Sequence, residues 1–149
     1  MPNIASILND LVETSKDGEK GFRTAAEDTQ SAELKSIFVQ RAGDCARGAA
    51  ELQQLVSRMG EKPEQGGSVA GAMHRGWVDV KSAVTKRDDL AILEECERGE
   101  DVAKAKYRKA LDEPLPDDIR AIVQRQYDGA IRNHDQIRDL RDRYRARAK

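Results

Sequence analysis

Apolar residues recur three and four positions apart along four long stretches of the chain, the period at which an α-helix keeps one face apolar. The first stretch carries Ile4, Ile7, Leu8, Leu11, Val12, Phe22, Ala25 and Ala26, and the second Leu34, Ile37, Phe38, Ala42, Cys45, Ala49, Leu52, Leu55, Val56 and Met59. The third carries Leu90, Leu93, Tyr107 and Leu111, and the fourth Ile119, Ile122, Val123, Tyr127, Ala130, Ile137, Leu140 and Tyr144. A helix with one apolar stripe has to bury it against other elements, so four such helices of comparable length call for a bundle.

The punctuation between stretches agrees with this. Ser31 is placed to cap the second helix, and Gly60 stands where a helix usually ends in a left-handed residue. Pro63, Gly66 and Gly67 make a loop, and Pro114 and Pro116 break the chain before the last helix. The spacing predicts helices over about 3–28, 31–59, 88–111 and 116–146, a shorter helix over about 68–86, and one domain spanning 1–149. In the shorter helix Val69, Met73, Trp77, Val80 and Val84 form the stripe, with the single Trp as its anchor.

Two of the connections are tight turns, which make two helical hairpins. The 27 residues from 61 to 87 are too many for a third turn. They suit a crossover that returns the chain along the bundle and leaves the second and third long helices parallel. The expected fold is therefore all-α, a ferritin-like up-down-down-up four-helix bundle with an extra short helix in the crossover.

Composition limits the function classes. A chain of 149 residues with 36% charged, 38% hydrophobic and only 4% aromatic residues suits a helical bundle better than a β-sandwich. Net charge is −1, from 26 basic and 27 acidic residues, so the basic surplus of a nucleic-acid binder is missing. The basic run Arg138, Arg141, Arg143, Arg145, Arg147 and Lys149 reads as a solvated helix end that complements the helix dipole. Cys45 and Cys96 form no CxxC pair and no disulfide framework. The start Met1-Pro2-Asn3-Ile4 lacks a signal peptide's basic and apolar regions, and no apolar run is long enough for a membrane span. A reduced, cytoplasmic protein is expected, with neither nucleic acid nor membrane as partner.

Chemistry concentrates in Glu95-Cys96-Glu97-Arg98-Gly99-Glu100-Asp101. Glu97 and Glu100 fall near the line of Leu90, Leu93, Tyr107 and Leu111, where a bundle core is usually apolar. A carboxylate placed there needs a cation, a metal, a proton or water. Levelling the helices under the crossover topology brings Glu19, Arg41, Asp44, Glu97, Glu100, Tyr127 and His134 within about two turns of one another.

Three readings of that layer stay open. One is a metal site of Glu19, Glu97, Glu100 and His134 holding iron, manganese or zinc. The dimetal pattern needs a Glu-x-x-His pair on each of two helices, but residue 131 is Ile131, the second helix has no His, and His74 lies in the connection. Another is a network in which Arg41 neutralises the carboxylates, with Asp44, Tyr127 and His134 taking part. In the last, rotation of the third helix puts Glu97 or Glu100 at a solvated edge. No Ser/His/Asp or Cys/His set and no phosphate-binding glycine loop emerges.

Leu8 to Phe22 (LNDLVETSKDGEKGF), Gly67 to Trp77 (GSVAGAMHRGW), Glu95 to Asp101 (ECERGED) and Gln126 to Arg141 (QYDGAIRNHDQIRDLR) together resemble a bacterial family of four-helix bundles in the ferritin-like superfamily, classed as a domain of unknown function. The resemblance implies a ferritin-like bundle and carries over no catalytic residues. The expected function is a non-enzymatic structural or interaction protein with no resident cofactor, linked to stress by analogy with the superfamily. The alternative is a metal-binding protein or metal-dependent oxidoreductase with a degenerate core site. Self-association through an apolar helix face is a further expectation.

Overall fold

The computed structural model describes residues 3–64 and 88–147, so the expected helix over 68–86, with His74 and Trp77, lies outside the described residues. Among the described residues there are four helices and no strand: α1 (Ile4–Asp28), α2 (Ala32–Arg58), α3 (Asp89–Leu111) and α4 (Asp117–Arg147).

Their ends follow from side-chain chemistry. The Asn3 side chain accepts from Ser6 N–H at 3.3 Å, and Ser31 Oγ accepts from Leu34 N–H at 3.2 Å. Asp88 Oδ1 accepts from the N–H groups of Leu90 and Ala91. Each satisfies a donor that the first helical turn leaves without a partner. At the end of α2, Gly60 takes a φ of 77°. Its N–H donates to Ser57 O at 3.0 Å and that of Glu61 to Val56 O at 3.3 Å. This is a Schellman closure, and the left-handed φ is why glycine stands there. Arg120 donates to Leu111 O at 2.8 Å and also to Glu113 O, which ties the α3–α4 turn.

Two apolar clusters show how the helices run. One joins Phe22 and Ala25 near the end of α1, Leu34 and Phe38 near the start of α2, Ile92 and Leu93 at the start of α3, and Ile137 and Leu140 late in α4. The other joins Leu8 and Leu11 of α1, Leu52 and Val56 of α2, Tyr107 and Ala110 of α3, and Ile119 and Val123 of α4. Hence α1 and α4 run one way while α2 and α3 run the other, and the end of α2 lies at the opposite end of the bundle from the start of α3. Asp89 Oδ1 accepts from Thr29 Oγ1 at 2.6 Å and from Gln30 N–H at 3.2 Å, and Tyr144 Oη donates to Ser31 Oγ at 3.1 Å. These bonds stitch all four helices together at the first cluster's end.

The backbones of α1 and α2 lie closest along their length, and those of α2 and α4 approach at few points. Among the described residues no helix is long and apolar enough to cross a membrane. The exposed large apolar side chains there are Val39 and Met59, which lie apart on α2.

Candidate functional site

Between the two apolar clusters the core thins out. Gly18 of α1, Gly48 of α2, Gly99 of α3 and Gly129 of α4 all face one cavity of about 310 Å³, with Ala103 and Ala130 beside them. One glycine from each helix removes the side chains that would otherwise fill the bundle's middle. At Gly18 the helices meet closely instead: a Cβ there would stand 2.9 Å from Cys45 Sγ. At Gly48 a Cβ would stand 3.7 Å from the Gln126 amide, an ordinary contact.

The cavity wall carries one unusual group. Glu100 lines it, is only 7% exposed, and its Oε1 has no hydrogen-bond partner among the described residues. Burial pushes its carboxyl up to about 8, opposed by the nearby Arg41 guanidinium and aided by Asp101 and Glu97. At neutral pH Glu100 is a neutral acid, able to donate as well as accept. Cys45 also lines the cavity; burial, followed by the charge of Glu100, pushes its thiol up to about 12. Cys96 sits in the apolar cluster, where burial raises it as well. Both are therefore thiols, which are poor nucleophiles.

Hydrogen bonds floor the cavity. Tyr107 Oη donates to Gln126 Oε1 at 2.7 Å and lies 3.4 Å from Ser15 Oγ. Gln126 Nε2 donates to Glu51 Oε1 at 2.7 Å and to Gly48 O at 3.3 Å. Burial pushes the Tyr107 phenol up to about 12, against the lowering effect of its hydrogen bond with Ser15. On the α2–α4 side, Arg41 donates to Asn133 at one edge of the cavity, and Arg125 donates to Glu51 at the other.

A second polar cluster lies on the outside of the α3–α4 pair. Arg141 donates to Glu97 Oε1. His134 Nε2 lies 2.7 Å from Asp101 Oδ1 and 3.7 Å from Glu97 Oε2, and its Nδ1 lies 3.2 Å from Asp135 Oδ1.

The expected metal ligands are thus divided. Glu97 and His134 share the α3–α4 cluster, Glu100 faces the cavity, and Glu19 pairs along its own helix with Arg23 at 2.6 Å and Lys16 at 3.6 Å. Among the described residues no group of three or more His, Cys, Asp or Glu side chains is arranged to hold a metal ion. Arg41 does not hydrogen-bond Glu19, Glu97 or Glu100. It pairs with Asp44 at 3.1 Å and donates to Asn133, because its own helix and α4 offer nearer acceptors. Tyr127 packs against the second apolar cluster and lines a surface pocket with Asp101 and Lys104, while the tyrosine whose hydroxyl reaches the cavity's hydrogen bonds is Tyr107. Spacing marks both tyrosines as stripe residues, but not which one turns its hydroxyl inward.

The spacing puts Ser15, Gln126 and Arg141 on or beside the stripes without giving them partners, and Arg141, expected in a solvated helix end, instead donates to Glu97. The signal for the cavity was present: small residues recur at the middle of every stripe.

The fold and site define a four-helix bundle with a small-residue cavity at mid-height and one buried acid on its wall. The chain belongs to the family described as a domain of unknown function, DUF2383, whose model matches residues 3–113. Comparison with curated proteins finds no match.

Proposed function

We propose that this chain is a ferritin-like bundle that works by binding rather than by catalysis, and that the mid-height cavity is its working part. The ferritin-like assignment is supported by the parallel course of α2 and α3, joined across the length of the bundle. The observation that carries the binding reading is the cavity itself: about 310 Å³ of space among four helices, with a carboxyl oxygen on its wall that no group among the described residues engages. A void of that size weakens a bundle, since lining atoms lose packing contacts. An occupant restores them. The non-catalytic part rests on the two protonated thiols and on the lack, among the described residues, of a nucleophile held against a base.

The test is titration of the labelled protein with a neutral aromatic alcohol, followed through backbone amide shifts. Shifts centred on Gly18, Gly48, Gly99 and Gly129 are expected, and Ala103→Leu, which fills the space, should abolish them. Shifts scattered over the surface would end this reading.

The rival is a metal protein using Glu19, Glu97, Glu100 and His134. Against it stands the engagement of Glu19 by Arg23 and of Glu97 by Arg141. Elemental analysis after purification without chelators, and again after reconstitution with iron, manganese or zinc, separates the two. Binding of about one equivalent, lost in Glu100→Gln, would favour the rival.

A further inference from the structure

We propose that the mid-bundle cavity takes a small organic amine, whose ammonium group pairs with the unpartnered oxygen of Glu100 while its apolar body lies against Phe22, Ala103 and Ala130. This rests on the cavity being a binding site and adds the chemical class of what it binds.

Size sets the first limit. A water occupies about 30 Å³ in the liquid, so a cavity of about 310 Å³ has room for a ligand of about ten non-hydrogen atoms. The wall sets the second. Glycines, alanines and Phe22 supply an apolar surface, Thr14, Ser15, Asp44, Gln126, Arg132 and Asn133 add polar groups, and Glu100 is a buried acid with an oxygen unpartnered among the described residues. A donor satisfies its acceptor oxygen, and a cationic donor that displaces the carboxyl proton gains most in a buried site.

Asp44 and Glu19 act on Cys45 inside the cavity as carboxylates, and Glu100 joins them only once it is ionised, against the guanidinium of Arg41. Arg41 is engaged through Nη1 by Asp44 and Asn133, while its Nε has no hydrogen-bond partner among the described residues. The charged groups around Glu100 are Glu19 on α1 with its partners Lys16 and Arg23, Arg41 and Asp44 on α2 with Arg47 beside Asp44, Glu97, Asp101 and Lys104 on α3, and Arg132 at the cavity's edge on α4. These charges largely pair off, Glu19 with Arg23 and Asp44 with Arg41, so the preference for a cation rests on Glu100 itself.

The proton count follows. Burial keeps Glu100 protonated up to about pH 8. An incoming ammonium ion therefore displaces the carboxyl proton to solvent and leaves an ammonium–carboxylate pair. Arrival of the free-base amine, which takes that proton directly, ends in the same pair.

The experiment is calorimetric titration of the full chain with 2-phenylethylamine and with its neutral isostere 2-phenylethanol, in two buffers of different ionisation enthalpy. The amine should bind at least about tenfold more tightly than the alcohol. It should release close to one proton at pH 7, and this should fall toward none above about pH 9. In Glu100→Gln both the preference and the proton release should vanish. If the alcohol binds as tightly as the amine, the amine assignment is wrong and the cavity reading stands. If neither binds, both are wrong. Unchanged amine affinity in Glu100→Gln would also overturn it. Should that variant fail to fold, proton release by the unaltered protein, with amide shifts at Gly48, Gly99 and Gly129, decides the matter: release without those shifts, or shifts without release, overturns the assignment.

Discussion

Glu97 and Glu100 are the same residue type on the same helix, one turn apart, and they live in opposite circumstances. Glu97 leans toward α4, where Arg141 donates to it and His134 stands 3.7 Å away. Glu100 faces the cavity and keeps an oxygen without a partner. Three positions along a helix turn a side chain by only about 60° around the axis, since each residue advances about 100°. That rotation separates a carboxylate held by a cation from an acid held by its proton. Burial of a charge is thus met in two ways within one bundle, by pairing and by neutralisation.

The largest expected effect is on the unpaired member. Folding raises the Glu100 carboxyl from 4.5 to about 8, so the fold favours its protonated form. The stability tied to that proton is fully present below about pH 4.5 and is lost as pH rises toward about 8. Glu100→Gln has no such window. Denaturant unfolding at several pH values should show the variant gaining on the unaltered protein across this range, by on the order of 3 to 5 kcal/mol at pH 9. A constant difference between the two would mean Glu100 is ionised in the folded protein.

The same substitution at the paired position should have the opposite sign. Glu97→Gln weakens the contact with Arg141 and should cost about 1 to 2 kcal/mol at pH 7, as loss of a charge-assisted hydrogen bond does. If Glu97→Gln and Glu100→Gln shift stability in the same direction at neutral pH, the contrast fails.

Smaller effects test where the cavity ends and close packing begins. Gly18→Ala puts a methyl 2.9 Å from Cys45 Sγ and should cost about 1 kcal/mol. In a Cys45→Ala background that cost should disappear, which a double-mutant cycle measures. Gly48→Ala meets nothing nearer than 3.7 Å, and should be neutral or stabilising by up to about 1 kcal/mol through helix propensity.

The four long helices were legible because each carries a continuous stripe and ends in recognisable chemistry, as at Ser31, Gly60 and Asp88. Levelling also placed His134 and Glu97 within about two turns of each other. What spacing does not convey is rotation about the helix axis. A period of 3.6 leaves adjacent stripe positions almost equally placed to face the core, so Tyr127 and Tyr107 read alike, and Glu19 looks inward until Arg23 is seen beside it. Nor does it convey volume. Glycine in a stripe either admits a neighbouring helix, as at Gly18 against Cys45, or leaves a gap, as at Gly48. Which occurs depends on the three other helices at that height.

The seam between α2 and α4 has a consequence for motion. Beside the cavity it is closed by Arg41 on Asn133, by Arg125 on Glu51 and by Gln126 on Gly48, rather than by interlocked apolar side chains. Such bonds exchange for water at less cost than opening the two apolar clusters, so amide exchange should be faster along this wall than at the ends. Added salt should speed it further, through screening of the exposed Arg125 contact, while leaving the melting temperature almost where it was.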